Sequence, residues 1–519
     1  MKYSSRIELW NLAAGSMVGG EASFYEPGET RDERLRNLVH AVVREPDGFA
    51  WLCRFVPYLR NEMYMRTAPI IIAAEAARTH AEAVRVTPSL KSPSFTVRRL
   101  VASAIGRTDE FAEFIGYWRM RFGRTIPGGV QRGLADAFVS SLDEYGAMKY
   151  DGNDRPIRLG DVVEILHPEP KNPAQSDLFR YLMDRRHHPS DIRVGLERLP
   201  MIASRRVLED MPQTEREALV VSPGFTLALK NSGMTWENVA GWLRRKLTAR
   251  EWEALIPTMG YMALLRNLRN LDDAGISDEV AAQVVMRLTD PAQVARSKQF
   301  PYRFYTAYRA AQETFRWSSA LGKALDLSTQ NIPVLNGNTL VLVDTSASME
   351  TPISARSNVE MVDVAALFSA ALAARNPDRV DVISFATSAR KIEFPTRSNV
   401  LRNVDHLRGK VGLVGHGTNV NAGIAFLEGK KYDRMIILSD MQDVAGLSES
   451  RRSIFGFRDR PISIPDELKV YSFNLGGYEY GTVDTSIPNR YILSGFSDAA
   501  FRMMEMAELP DQFAAPADM

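Results

Sequence analysis

The chain has 519 residues, 45% of them hydrophobic and 24% charged, with a net charge of +1 at pH 7. That length exceeds what one hydrophobic core ordinarily organises, so two or more domains are expected, and the composition excludes a disordered or fibrous chain. The single Cys53 excludes an internal disulfide and a thiolate metal cluster.

Met1-Lys2-Tyr3-Ser4-Ser5-Arg6-Ile7-Glu8 lacks the apolar core of a signal peptide, and no uninterrupted apolar run reaches bilayer length, so a cytoplasmic chain without a membrane span is expected. Residues 1–330 hold 45 Lys and Arg against 40 Asp and Glu; the remainder holds 19 against 23. The front is therefore basic and the back acidic.

From Arg31 to Leu327 apolar residues recur at helical spacing in short blocks. Leu35, Leu38, Val42 and Val43 form one stripe, and Phe49, Leu52, Phe55, Val56 and Leu59 the next. Cys53 falls in the second pattern, which predicts a small buried hydrophobe. Further helices are predicted from Ala68 to Ala83, Val97 to Ile105, Glu110 to Met120, Gly133 to Leu142 and Ile157 to Ile165. Turn and capping residues separate them, among them Glu45-Pro46-Asp47-Gly48 and Ile126-Pro127-Gly128-Gly129. Similar helix lengths and short loops fit stacked helical pairs, an α-solenoid, without a clean sequence period.

Within this half, residues 85–132 carry nine basic side chains (Arg85, Lys91, Arg98, Arg99, Arg107, Arg119, Arg121, Arg124, Arg132) against three acidic ones. The stretch reads either as a polyanion footprint or as a solvated helix face. Tyr117, Trp118 and Phe122 interleave with the arginines, as stacking platforms or as core. Lys149 ends a helix, where an ammonium favours the dipole or reaches a phosphate. His167, before Pro168, either caps its helix or meets a base or phosphate. Arg266 and Arg269 share a helical face and either line an open surface or pair with Asp272 and Asp273. His187-His188 has no third metal ligand nearby and reads as a solvated basic loop.

After Ser328-Thr329-Gln330-Asn331-Ile332-Pro333 the pattern changes. Strand-like runs (Leu340 to Val343, Val380 to Phe385, Met435 to Leu438, Val470 to Phe473, Tyr491 to Leu493) alternate with helical ones (Val359 to Ala374, Val400 to Leu407, Val420 to Leu427), predicting a parallel sheet wrapped by helices. The first strand ends in Asp344-Thr345-Ser346-Ala347-Ser348. Gly415-His416-Gly417-Thr418 offers a hydroxyl on a glycine-flanked loop, and another strand ends in Ser439-Asp440. Hard oxygen ligands at strand carboxyl ends are what Mg²⁺ or Mn²⁺ prefers.

The Asp344, Ser346, Ser348, Thr418 and Asp440 constellation resembles the metal-ion-dependent adhesion site of a von Willebrand factor A domain, which implies those five as direct or water-bridged ligands. Four stretches ahead of it are similar to the Ro ribonucleoprotein autoantigen family in its bacterial type: Met65-Arg66-Thr67-Ala68-Pro69, Asp143-Glu144-Tyr145-Gly146-Ala147-Met148-Lys149-Tyr150, Leu166-His167-Pro168-Glu169-Pro170 and Met262-Ala263-Leu264-Leu265-Arg266-Asn267-Leu268-Arg269-Asn270. The resemblance implies two domains: an all-α, HEAT-like helical-repeat ring (the TROVE module, 1–330), then a Rossmann-like α/β von Willebrand factor A domain (338–508) with a 509–519 tail. It implies a monomer that binds small structured Y-like RNA on a basic outer surface, through Lys149 and His167, and single-stranded ends of misfolded RNA in a central hole. It further implies tethering of an exoribonuclease such as polynucleotide phosphorylase. Glu169 stands where the family often has a basic residue.

No P-loop, Ser/His/Asp arrangement or second metal site appears, so a noncatalytic RNA-binding scaffold is expected rather than an enzyme. The alternative is a metal-dependent protein-interaction adaptor acting through the A-type domain.

Overall fold

A computed structural model describes residues 5–15, 31–90, 96–311, 316–332, 334–353, 357–395, 398–440, 464–475 and 489–494, with single residues between and beyond them. Lys91 and the 509–519 tail lie outside the described residues. The described residues form two compact units, one holding residues 32–259 and 274–276, the other residues 5–31, 260–273 and 277–508.

The first unit is all helix. Arg31–Arg44, Gly48–Asn61 and Thr67–Val86 lead into Val97–Ala104, Glu110–Phe122, Gly128–Ser141, Glu144–Tyr150, Leu159–Leu166 and Pro173–His187. Their apolar stripes fill the interior with Phe55, Phe111, Phe114, Trp118 and Phe138. Starts follow the caps: Thr96 accepts from Arg99 N, Asp143 from Gly146 N and Asn172 from Gln175 N. The Gly128–Ser141 helix begins five residues before the expected Gly133. Pro127 is its N-cap, because a residue without an N–H loses nothing at a helix start, so the Pro-Gly-Gly run opens this helix instead of separating it from the last. Cys53 is half-buried rather than buried, and desolvation pushes its thiol up to about 12, which leaves it unreactive.

The second unit is built on a six-stranded sheet: β1 Thr339–Asp344, β2 Val380–Phe385, β3 Ala389–Ile392, β4 Arg434–Ser439, β5 Lys469–Asn474 and β6 Arg490–Ser494, in the order β3-β2-β1-β4-β5-β6. All pairings are parallel except β2 with β3, so the sheet is mixed where a parallel one was expected. β3 is a short edge strand, Ala-Arg-Lys-Ile, whose charges hide the strand pattern and discourage pairing with another chain. β1 and β4 are buried along their whole length, as central strands covered on both faces must be. The Met361–Arg375 helix makes the crossover from β1 to β2.

The change from helix to strand falls near residue 330, but the compact units divide elsewhere. The helices from Tyr261–Arg266 to Ser318–Ser328 belong with the sheet. So does Ser5–Gly15, which packs on β6 and buries Leu9, Trp10 and Ala13. Among the described residues no helix is long and apolar enough to cross a membrane.

Candidate metal centre and nucleic-acid interface

The parallel register sets Val343 opposite Leu438, so Asp344 ends beside Ser439 and Asp440 lies one residue further on. The Ser439 hydroxyl donates to Asp344 Oδ2 at 2.7 Å, and the Ser346 amide donates to Oδ1 at 2.9 Å. The hydroxyls of Ser346 and Ser348 are 3.2 Å apart. Backbone bonds fasten the Thr418 loop to the same end of the sheet: Ala347 N to His416 O at 3.3 Å, Ser388 N to Val414 O at 2.9 Å and Asn419 N to Ala386 O at 2.9 Å. Gly417 N adds a bond to Thr387 Oγ1 at 3.1 Å. Gly415 has a φ of +95°, and a Cβ there would sit 2.4 Å from Thr387 Oγ1, so glycine is required where the loop presses on the β2 end.

Asp344 is fully buried and Asp440 is 1% exposed. Burial pushes the Asp344 carboxyl up to about 6, against the lowering by Ser346 and Ser439 and with a further rise from the charge of Asp440. Among the described residues no Arg, Lys or His pairs with Asp344, and no group of three His, Cys, Asp or Glu forms a metal cluster. Two buried carboxylates beside three hydroxyls, without a basic counter-ion on Asp344, fit a hard divalent cation that completes its octahedron with water or a partner's carboxylate. Ser439 was read from sequence only as part of its strand; its position opposite Asp344 was the available signal for the hydrogen bond.

The basic stretch is less positive once folded than its count suggests. Glu75 and Asp136, both outside it in sequence, fold onto it. Arg98 pairs with Asp136 at 2.5 Å, Arg107 with Asp109 at 3.0 Å, and Arg121 with the fully buried Glu75 at 3.2 Å. Glu75 also binds His40 at 2.8 Å and accepts from Tyr117 Oη at 2.6 Å. Burial alone would raise the Glu75 pKa, but these partners outweigh it and hold the carboxyl below its ordinary range. Trp118 is core, and Phe122 is half-buried with Arg78 and Arg121 near its faces. The aromatic residues are thus structural rather than open platforms.

Arg119, Arg124 and Arg132 are exposed. They occupy the end of the Glu110–Phe122 helix, the loop after it and the start of Gly128–Ser141. Gln131 Nε2 donates to Ile165 O at 2.9 Å, which brings His167, the exposed left-handed C-cap of Leu159–Leu166, to the same end. Lys149 does not join them. It lies with Arg107 by the opposite end of the Glu110–Phe122 helix, whose 13 residues run about 20 Å at 1.5 Å per residue. Its ammonium is 5.2 Å from the Tyr145 ring centre and 5.4 Å from that of Tyr150, and it donates to Tyr145 Oη at 3.3 Å. Burial lowers the Lys149 pKa, but the two tyrosines outweigh it and leave it above the ordinary value. His187 pairs with Glu164 at 2.8 Å.

Residues 226–318 match the sequence model of the TROVE domain. Over those residues the chain is similar to the TROVE domain. A 76-residue stretch is 41% identical to telomerase protein component 1 of Mus musculus, covering 14% of this chain and 3% of that protein, so the match spans a small fraction of the relative's length. The crystal structure of the Ro (RSR) protein of Deinococcus radiodurans is similar in fold over 97% of this chain and 100% of that one, with a TM-score of 0.69 at 18% identity. The helical-repeat and α/β architecture expected from sequence is the architecture found.

The TROVE segment contains Arg266 and Arg269, both exposed, on two short helices, Tyr261–Arg266 and Leu268–Asp273, rather than one continuous face. Arg269 lies 3.9 Å from Asp273, a loose surface pair. Asp272 instead accepts from Trp317 Nε1 at 2.5 Å. Tyr305, also in the TROVE segment, donates to the fully buried Asp363 at 2.6 Å, and Arg408 pairs with Asp363 and, at 2.8 Å, with Glu360. This polar knot fastens the Pro301–Ala310 helix to the one that backs β1, and nothing local in the sequence announces it.

Proposed function

We propose that the chain is a noncatalytic, cytoplasmic RNA-binding scaffold. Backbone charge supplies affinity, and the spacing of two cationic sites selects a small structured, Y-like RNA. The carrying observation is the gathering of exposed Arg119, Arg124, Arg132 and His167 on adjoining helix ends. Lys149, by the opposite end of the Glu110–Phe122 helix, supplies a second contact that a folded RNA can reach with the first. Entry of single-stranded ends of misfolded RNA into a hole lined by Arg266 and Arg269, and tethering of an exoribonuclease, belong to the same proposal. Asp344, Ser346, Ser348, Thr418 and Asp440 hold Mg²⁺ or Mn²⁺ in a separate docking module. The buried, hydroxyl-rich donor set supports that assignment.

Crosslinking and sequencing of bound RNA, followed by a salt titration on the recovered species, tests the reading. The Arg119→Ala/Arg124→Ala/Arg132→Ala protein is expected to bind more weakly at every salt concentration, with the log–log salt slope reduced by about three, one per lost phosphate contact. Recovery of no RNA above background overturns the scaffold. Retention of a protein partner that resists ribonuclease and is released by chelation would then favour the metal-dependent adaptor, which the buried carboxylate pair suits.

A further inference from the structure

Three of the basic side chains in residues 85–132 are held by carboxylates. Arg98 is held by Asp136, Arg107 by Asp109 and Arg121 by Glu75. An arginine bound this way presents little net charge, because its counter-ion travels with it. Lys149 is held differently. Tyr145 lies one helical turn before it on the Glu144–Tyr150 helix, so the two share a face. Tyr150 closes the other side, and its own ring carries Arg107, 5.2 Å from the centre, with a hydrogen bond from Arg107 Nη2 to Tyr150 Oη at 3.2 Å. Among the described residues no carboxylate pairs with Lys149.

The arrangement is built rather than incidental. Gly146 lets the helix lie against Thr108, where a Cβ would come within 2.7 Å of the threonine hydroxyl. That close approach carries Arg107 to Tyr150. Tyr145 is 38% exposed, so its ring stands at the surface instead of serving the core. The 3.3 Å bond to Tyr145 Oη sets the ammonium at the hydroxyl end of that ring, and a neutral hydroxyl fixes an ammonium in space without cancelling its charge, which an acidic neighbour cannot do.

We propose that Tyr145 and Tyr150 are positioning residues that hold the Lys149 ammonium, uncompensated, for an RNA phosphate. The inference rests on the proposed contact between Lys149 and RNA. It predicts that the Tyr145 hydroxyl, which the ammonium meets at 3.3 Å, sets part of the strength of that contact, with a loss of about two- to tenfold in affinity when it is removed.

The test uses the full chain and a synthetic RNA hairpin with a single-stranded 3′ tail, titrated by fluorescence anisotropy, with the melting temperature of each variant recorded. Tyr145→Leu is expected to weaken binding about two- to tenfold, and Tyr145→Phe, which keeps the ring but not the hydroxyl, to weaken it as much. In a Lys149→Ala background neither is expected to change anything further, because the hydroxyl then has no ammonium to place. Tyr145→Phe, which keeps the packing, keeps the test available if the leucine variant melts early. An equal loss from Tyr145→Leu with and without Lys149 overturns the proposal, since the ring would then contact RNA itself. Weakening by Lys149→Ala but not by Tyr145→Leu also overturns it. If Lys149→Ala itself leaves affinity and salt slope unchanged, the lysine contact has failed, a result distinct from failure of the positioning alone.

Discussion

Glu75 sits fully buried on the alanine-rich Thr67–Val86 helix and gathers His40, Tyr117 and Arg121, residues 35 to 46 positions away. Arg121 read from sequence as an RNA ligand; its partner makes it a structural residue. Glu75→Ala strands those groups and is expected to cost about 3–5 kcal/mol by urea denaturation, the usual result of removing one member of a buried pair. Asp381 gives a pH-dependent counterpart. Lys391 at 2.7 Å, Lys430 at 3.0 Å and the Tyr432 hydroxyl at 2.9 Å surround it. Against the rise that burial causes, these hold its carboxyl down at about 2. The folded pKa lies below the unfolded one, so the stabilisation is present above about pH 4 and fades as pH falls towards 2. Solvent screening reduces it to about 1 kcal/mol. Asp381→Asn should therefore lower stability at pH 7 and make little difference at pH 2. The candidate oxygen donors at the end of β1 were legible because Asp344, Ser346 and Ser348 sit at alternating positions in one turn. Partners dozens of residues apart leave no such trace.

At the scale of elements, hydrophobic periodicity located the principal strands, the helices from Arg31 to Leu166 and those between the strands, and it failed where one residue type has two uses. Pro127 and Gly128 open a helix although they also read as a break. The charged β3 edge pairs through its backbone, whatever its side chains suggest. Gly415 shows how an element's tip depends on one backbone conformation. Gly415→Ala would have to leave a φ of +95° and push Thr387 aside, which is expected to cost about 1–3 kcal/mol and loosen the loop that carries Thr418. Calorimetric titration should show Mg²⁺ affinity falling by about tenfold, the equivalent of 1.4 kcal/mol, with the β1 ligands intact.

For the whole molecule, two compact units predict two unfolding steps. A cation held at the β1 and β4 tips stabilises only the unit that contains the sheet, by about 2.7 kcal/mol at one hundred times its dissociation constant. Scanning calorimetry with and without Mg²⁺ is expected to move one transition and leave the other. Asp344→Ala should abolish the shift, and movement of both transitions would overturn the assignment of the cation to the sheet unit alone.

The sequence by itself determined the change from helix to alternating strand and helix near residue 330, the two-part architecture and the five candidate metal ligands. Each of these is written in local spacing: a 3.6-residue stripe, a buried strand run, or oxygen donors in one turn. Only the tertiary structure decided that Ser5–Gly15 packs on β6, that Arg98, Arg107 and Arg121 are held by acids, and that Lys149 is held by tyrosines. Those outcomes depend on which distant side chains folding brings within a few ångströms, and neither charge nor period along the chain encodes that distance.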